Sequence, residues 1–596
     1  MASAPIPSPA LLAAQTAEAE VSHCLAEKRS FLLEAGAGAG KTYSLVEALK
    51  SLLAREGAAL RRNNQQIACI TYTNAATDVI VKRIDGSKQV AVSTTHAFCW
   101  SLIGPFQPVL RKEFQALPEW KEKLEAGPAV ASQRIEYELG YRKLTDEIVS
   151  LDHDDVLKLT ASLLSLPKFQ AIVAGRFPYI FIDEYQDTAA ELMSAIKSHL
   201  FARKGGPVVG LFGDHWQRIY EDTCGHVTDP GLHEIGKMAN FRSATSVVAV
   251  LNKMRPELPQ AVADESFVGS ANVFHTNGWT GTRQPSGPGG HWTGDLHAPD
   301  AHQFLETCIA HLKQAGWDFA PDKTKVLLLT HNGLAAEQGY PTLPKVFPYT
   351  DLYIKKTDDH IAFLADKLEP AITAYQAKQF GKMFDILGEE APRLSSQSEK
   401  QKWSDAMNDL ISIRESGSVG AVIDHLLSIG YPRLPEKVIH RERSVQEWQP
   451  VDSVETPDLV TRVKKLRDVP YAEIIALVGY LEGHTPFTTK HSVKGEEFEN
   501  VLVVLGRGWN KYNFDQYLQW HAKPASIPKG KDVTFERNRN LFYVACSRPK
   551  TRLTLLFTQV LTPAALALLQ SWFHAGNVID VGTGKFPEVG LGPDAS

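Results

Sequence analysis

The sequence predicts an α/β protein with two parallel sheets, each interrupted by a mainly helical insertion. Three observations lead there. A short apolar run, Phe31, Leu32 and Leu33, stops at a glycine-rich turn and gives way to a helical repeat. Further apolar runs at 67–70, 179–182 and 208–212 are separated by helical stretches, as the crossovers of a buried parallel sheet require. A second set of runs, at 326–329, 487–489, 501–505 and 553–557, repeats the pattern.

After the glycine turn, Leu45, Val46, Leu49, Leu52 and Leu53 recur at three- and four-residue steps, the spacing of one helix face. Polar helical stretches at 102–175 and 351–483 split the two sheets. The expected organisation is therefore a first sheet domain over 1–101 and 176–232, with 102–175 inserted. A second covers 233–350 and 484–575, with 351–483 inserted. A Gly- and Pro-rich flexible tail is expected over 576–596. The 596 residues agree with about four domains of ~150 residues.

Composition narrows the class. Hydrophobic residues at 43% and charged residues at 22% are ordinary for a globular protein and exclude a disordered chain, a collagen-like fibre and a coiled-coil rod. The formal charge of −5 does not announce a nucleic-acid binder, so such binding would need a local basic groove. The six cysteines, Cys24, Cys69, Cys99, Cys224, Cys308 and Cys546, form no CxxC pair, which argues for reduced thiols rather than disulfides, a zinc ribbon or an iron–sulfur cluster. No stretch reaches the ~18–20 apolar residues of a membrane span. The N-terminus lacks a basic n-region, and Glu18 and Glu20 interrupt it. A cytoplasmic protein without membrane attachment is expected. The loop 275–300, with His275, His291 and His297 and with His302 just beyond, matches no metal-ligand spacing and reads as a solvated linker.

The most specific signal is Ala35-Gly36-Ala37-Gly38-Ala39-Gly40-Lys41-Thr42, a P-loop pattern with Ala35 where the first glycine is written. Glycines let successive N–H groups and a helix N-terminus face the phosphates. Lys41 would reach the β/γ-phosphates and Thr42 would ligate Mg²⁺. The run Ile180-Phe181-Ile182-Asp183-Glu184 supplies the acidic partner. Asp183 would hold Mg²⁺ and Glu184 would polarise the attacking water. ATP and Mg²⁺ are the expected cofactors.

The segment Asp183-Glu184-Tyr185-Gln186-Asp187-Thr188, with the glycine loop before it, resembles the UvrD-like superfamily 1 DNA helicases. Other motifs of that family are matched in order. Ile70-Thr71-Tyr72-Thr73-Asn74-Ala75-Ala76 looks like motif Ia, and Thr95-His96-Ala97-Phe98 like Ib. The segment from Gly213 through Trp216 and Gln217 to Tyr220 looks like motif III, and Asn240-Phe241-Arg242-Ser243 like motif IV. The segment from Thr489 through His491 and Gly495 to Phe498 looks like V, and Tyr543-Val544-Ala545-Cys546-Ser547-Arg548 like VI.

The resemblance implies two RecA-like domains that sandwich ATP, in the 1A/1B/2A/2B plan. It implies Gln217 as a sensor of the γ-phosphate or water, and Arg242 and Arg548 as arginine fingers from the second domain. Gln15 matches the adenine-reading glutamine, with a surface helix residue as the alternative. Phe241 would stack on the base, Tyr43 stands where an arginine near adenine is common, and Glu497 matches a position facing the ribose. Gly495 belongs to the same nucleotide set. For single-stranded and partly duplex DNA, Tyr72, Thr73, Asn74, His96, Tyr220, Thr489 and His491 match contact positions. Tyr72 and Tyr220 suit base stacking, with half-buried core aromatics as the alternative. The motif III region departs from the family: Asp222 stands where a stacking tryptophan is common, and Trp216 lies on the nucleotide side.

The resemblance implies a 3′–5′ ATP-dependent helicase or translocase. A second reading is a DNA-dependent ATPase or DNA-end sensor that licenses a partner nuclease and unwinds weakly alone. Short helicases of this plan occur as subunits of Gabija-type anti-phage systems, paired with an OLD-family nuclease.

Overall fold

A computed structural model of the chain describes residues 7–201, 205–285, 293–328, 331–449, 457–489, 495–506 and 512–587. The chain divides into two compact units. The first comprises Met1–Val273, Phe514–Leu553 and Thr562–Val578, and the second Phe274–Asn513, Thr554–Leu561 and Ile579–Ser596.

The first unit is organised around a six-stranded parallel sheet containing β1 (Phe31–Ala35), β2 (Ile67–Thr71) and β3 (Val90–Thr94). Its order is β3, β2, Tyr179–Asp183, Val208–Gly213, β1 and His233–Lys237. Period-two alternation explains why these strands read as continuous apolar runs. Leu32, Ala68, Ile70, Ile180, Ile182, Val209 and Leu211 point into one core. Phe31, Leu33, Ile67, Cys69, Tyr179, Phe181, Val208 and Phe212 point into the other. Both faces are buried, so neither needs polar residues.

His233–Lys237 corrects one sequence boundary. Expected to open the second domain, it is instead the last strand of the first sheet, with Phe31 to Ala35 paired in register to His233 to Lys237. The insertion at 102–175 is also not purely helical. Arg134–Gly140, Lys143–Leu144 and Ile148–Asp152 form a small sheet, whose Ile135, Val149 and Leu151 enter the core beneath the main sheet. Asp155 is fully buried there. It is held by the Arg142 guanidinium at 2.8–3.0 Å and by Trp120 Nε1 at 3.0 Å, and it completes a capping box with Asp152.

The second sheet also has six strands, in the order Phe487–Thr489, Thr324–Leu328, Phe498–Leu505, Pro549–Phe557, Ser270–His275 and Val578–Asp580. Thr324–Leu328 pairs in parallel with both of its neighbours. The flexible tail expected from 576 is corrected in part, because Val578–Asp580 joins the sheet edge. Beyond it Val581 is buried and Phe586 packs edge-on to Phe274 at 5.2 Å, so apolar side chains hold this segment. The helical region between Leu343 and Leu481 has its own core, which includes Leu364, Ile372, Met407, Val422 and Leu477. Among the described residues no single helix is long and apolar enough to cross a membrane.

Four helices of the first unit position the candidate site. α1 (Pro9–Ala26) is capped by Ser8 and packs Ala10 and Ala14 against Ala239. α2 (Lys41–Arg62), α3 (Asn74–Arg83) and α4 (Thr95–Ile103) start at the C-terminal ends of β1, β2 and β3. Ligands bind at that edge of an open α/β sheet.

Phe31, Phe181 and Phe212 meet edge-on beneath the glycine turn, with ring centroids 5.5–6.1 Å apart. Phe31→Ala would open a cavity under β1 and cost about 3–5 kcal/mol, read as a lower midpoint in urea unfolding.

Candidate functional site

The site begins where β1 ends. Gly38 and Gly40 adopt φ of 75° and 74°, the left-handed region that strains any side chain. A Cβ on Gly38 would stand 2.8 Å from both Arg242 Cβ and Asn240 Oδ1, so this glycine is also required by close approach. Ala35 needs no glycine, because it is still a strand residue. Gly40 caps α2 without any side-chain hydrogen bond, and no acidic residue occupies the first turn. The N–H groups of that turn therefore favour an anion.

Side chains outside the motif hold the outer side of the loop. Ala37 O accepts from Asn240 Nδ2 at 3.1 Å and from Gln260 Nε2 at 3.0 Å, and Ala37 N donates to the Tyr543 hydroxyl at 3.4 Å. These bonds draw the segments around 240, 260 and 543 into the same compact unit as the P-loop. Arg242 and Arg548, expected from a second domain, accordingly fall in the first unit.

At the end of the 179–183 strand, Asp183 is buried and Glu184 turns into the left-handed region, φ 48° and ψ 47°. That conformation costs about 1–3 kcal/mol in a non-glycine residue, a strain characteristic of functional sites. Glu184 Oε1 lies 3.7 Å from Lys41 Nζ, and Glu184 Oε2 accepts from Gln186 Nε2 at 2.5 Å. Burial pushes the Asp183 carboxyl up to about 7, with Glu184 adding to the shift and Lys41 opposing it. Thr42, second residue of α2, and Asp183 are hard oxygen donors of the kind that suit a small divalent cation.

A hydrogen-bonded chain leads from Glu184 to Arg548. Gln186, which donates to Glu184, accepts from Asp214 N at 3.1 Å. Asp214 Oδ2 accepts from Gln217 Nε2 at 2.7 Å, and Gln217 Oε1 accepts from Arg548 Nη2 at 2.8 Å. Arg548 is buried and also donates to Val544 O and Ser547 Oγ. Burial, with Arg242 as the next cause, lowers the Arg548 guanidinium to about 10. Arg242 Nη1 donates to Ser547 O at 3.3 Å. A guanidinium disfavoured by burial and by a neighbouring guanidinium beside a P-loop would be relieved by a bound polyanion.

Tyr43 and Phe241 are both about half exposed and flank Gly40. Gln15 is exposed on α1, one turn before Glu18. Lys237, which sequence reasoning missed, ties that helix to α2. Its buried ammonium donates to Ser44 Oγ at 2.6 Å, Glu18 Oε1 at 3.4 Å and Gly40 O at 3.5 Å. Burial lowers its pKa, against the pull of Glu18. Gly495 and Glu497 are exposed residues of the second compact unit.

Of the residues expected to meet DNA, Tyr72 and Tyr220 stack on each other, 5.7 Å apart at 30°. Thr73 caps α3 through Ala76 N at 3.2 Å, and Asn74 is the first residue of that helix. His96, in the first turn of α4, meets the His153 ring at 5.3 Å. Thr489 ends the strand Phe487–Thr489, and His491 lies outside the described residues. Trp216 is a core residue. It meets Tyr543 edge-on, with Arg255 and Arg539 guanidiniums 5.2 and 4.4 Å from its ring, so it presents no face to a base. Asp222 is exposed.

Sequence reasoning also missed Glu34 and Arg255. Arg255 donates to Glu34 Oε1 and Asp214 Oδ1, each at 2.7 Å. Glu34 further accepts from Tyr185 at 2.9 Å and pairs with His215 Nδ1 at 2.8 Å. Burial would raise the Glu34 carboxyl, but the His215 hydrogen bond, the charge of His215 and Arg255 together hold it well below the usual range. One signal was available: a lone carboxylate within the apolar run of β1 is anomalous unless it is paired. Arg255 carried no comparable signal.

Known proteins are similar to this chain in sequence. The UvrD/REP helicase N-terminal domain matches residues 15–125 and 110–222. Gabija protein GajB of Bacillus cereus (strain HuB5-5) is 22% identical over 668 aligned residues, covering 90% of this chain and 94% of that protein. The ATP-dependent DNA helicase PcrA of Staphylococcus aureus (strain Mu50 / ATCC 700699) is 25% identical over 279 residues, 37% of each chain. Over residues 15–222 the chain is thus similar to the N-terminal domain of UvrD/REP helicases, and it is similar in sequence to both relatives.

The depressed Glu34 carboxyl has a stability consequence. An acid whose folded pKa lies below its unfolded value of about 4.3 stabilises the fold fully above that value. The contribution is lost as pH falls from there through the folded pKa. Melting temperature in the wild type should therefore drop below about pH 4 more steeply than in Glu34→Gln.

Proposed function

We propose that this chain is a DNA-dependent ATPase, or DNA-end sensor, that licenses a partner nuclease and unwinds weakly on its own. The observation that carries this reading is extent. Similarity to the Gabija protein runs through 90% of the chain, whereas similarity to PcrA covers 37%. The exposed carboxylate at 222 supports it, since an acidic side chain neither stacks on a base nor tolerates phosphate nearby. The anti-phage setting and a nuclease of the OLD family come from the resemblance to Gabija-type subunits.

The chemistry is assigned residue by residue. Lys41 and the first-turn N–H groups of α2 bind the phosphates of ATP, and Tyr43, Phe241 and Gln15 take the adenine. Thr42 and Asp183 hold Mg²⁺, which when bound offsets the charge of the phosphate oxygens. Glu184 accepts the proton of the attacking water, its carboxylate aimed by Gln186 and balanced by Lys41. Gln217 reads the γ-phosphate, and Arg242 and Arg548 stabilise charge developing on the transferred group. Gly495 and Glu497 match nucleotide-facing positions by resemblance alone. Tyr72 and Tyr220 offer stacking faces to single-stranded DNA, alongside Thr73, Asn74 and His96; Thr489 and His491 match DNA-contact positions by resemblance alone.

A 3′–5′ unwinding helicase is the second reading, favoured by the Tyr72–Tyr220 platform. Strand displacement separates the two: unwinding of a tailed duplex by the chain alone supports the helicase. Turnover driven by DNA without displacement supports the sensor.

ATP turnover on single-stranded DNA should fall about 10²–10⁴-fold in Glu184→Gln while nucleotide still binds. Wild-type turnover in that variant would remove Glu184 from the mechanism. Tyr72→Ala should weaken single-strand binding by about 1–3 kcal/mol whatever the base sequence, measured by fluorescence anisotropy. An unchanged affinity would make Tyr72 a structural aromatic.

A further inference from the structure

We infer that Arg255 and Glu34 are a positioning pair, which fixes the turn carrying Gln217 and thereby aims that amide at the reacting phosphate. The inference rests on Gln217 as the γ-phosphate reader.

Among the described residues neither is hydrogen-bonded to the P-loop sequence 36–42: Arg255 acts through Asp214, and Glu34 through His215 and Arg255. Asp214 caps the short helical turn His215–Gln217, accepting from Trp216 N at 3.0 Å. The same oxygen accepts from Arg255 Nη1 at 2.7 Å, and its other oxygen takes Gln217 Nε2 at 2.7 Å. The amide therefore has a defined orientation, with nitrogen toward Asp214 and oxygen toward Arg548. Reversing it would set two acceptors against each other at Asp214 and two donors at Arg548.

Glu34 grips the same turn from β1. Its Oε1 accepts from His215 N at 3.1 Å and from Arg255 Nη2 at 2.7 Å, while Tyr185 donates to Oε2. Arg255 itself is confined between the Trp216 and Tyr543 rings, 5.2 and 6.0 Å from their centroids. Asn540 Nδ2 fixes the outer side through His215 O and Arg218 O, each at 3.1 Å. A guanidinium is suited to this place because its planar fork serves two carboxylates at once, and a lysine ammonium cannot reproduce that geometry.

The roles separate by chemistry. A group that aims Gln217 without touching the nucleotide affects the rate of the chemical step and leaves ground-state binding unchanged. The experiment uses the full chain as Glu34→Gln, Arg255→Lys and Arg255→Met. Two quantities are read: hydrogen exchange across residues 213–218 without nucleotide, and kcat and KM for ATP on single-stranded DNA.

We expect exchange in 213–218 to accelerate in Glu34→Gln and Arg255→Met. We also expect kcat to fall about 10- to 100-fold at a KM within about twofold of wild type. Arg255→Lys should recover part of the loss, because it restores the charge without the fork. If Arg255→Met does not fold, Glu34→Gln, which keeps size and shape, decides alone. Unchanged exchange overturns the inference, and so does wild-type kcat in Glu34→Gln, or a parallel change of KM and kcat. A wild type that does not hydrolyse ATP in response to DNA would remove the proposed function, and exchange would still decide whether the pair holds the turn.

Discussion

Asp214 is a carboxylate with no access to water, and the interior of the first unit is arranged around that fact. A buried charge is tolerable only when it is paired and its lone pairs are used. Trp216 N, Gln217 Nε2 and Arg255 Nη1 meet those demands. Each donor is then held in turn: Gln217 by Arg548, and Arg255 by Glu34 and two aromatic faces. One desolvated carboxylate thus ties the ends of β1 and the 208–213 strand to the segments around 255 and 548.

The glycine loop obeys a complementary constraint. Backbone groups on its outer side are occupied by Asn240, Gln260 and Tyr543. The first turn of α2 carries neither a capping side chain nor an acidic residue. The partial positive charge at that helix end is left for an anion, and the guanidiniums of Arg242 and of the buried Arg548 add to it. The left-handed Glu184 spends some conformational energy to place its carboxylate beside Lys41.

Much of this was legible in the sequence. The P-loop, the acidic pair and the strand runs are local signals, since phosphate binding needs consecutive N–H groups and buried strands need consecutive apolar residues. The boundary near 233 was misplaced for a related reason: His233–Lys237 carries three charged or titratable residues among five, and only its pairing with β1 makes it a strand. The small sheet at 134–152 escaped notice because its strands are short, Lys143–Leu144 spanning only two residues, and none holds an unbroken apolar run like those of the main sheets. Trp216 could be assigned to the nucleotide side by its motif, but its confinement between two arginines could not.

The sequence alone determined the chemical kit: a glycine turn suited to an anion, a lysine and two carboxylates beside it, and apolar strands that must be buried on both faces. These follow from short-range rules, in which neighbours along the chain decide each other's conformation. Only the tertiary structure decided how the kit is held. Glu34, Arg255, Lys237 and Gln260 come from separate stretches of chain, and nothing in their local sequence names their partners. They are placed by the requirement that every buried charge and amide find its complement, a condition that has no meaning until the chain has closed around them.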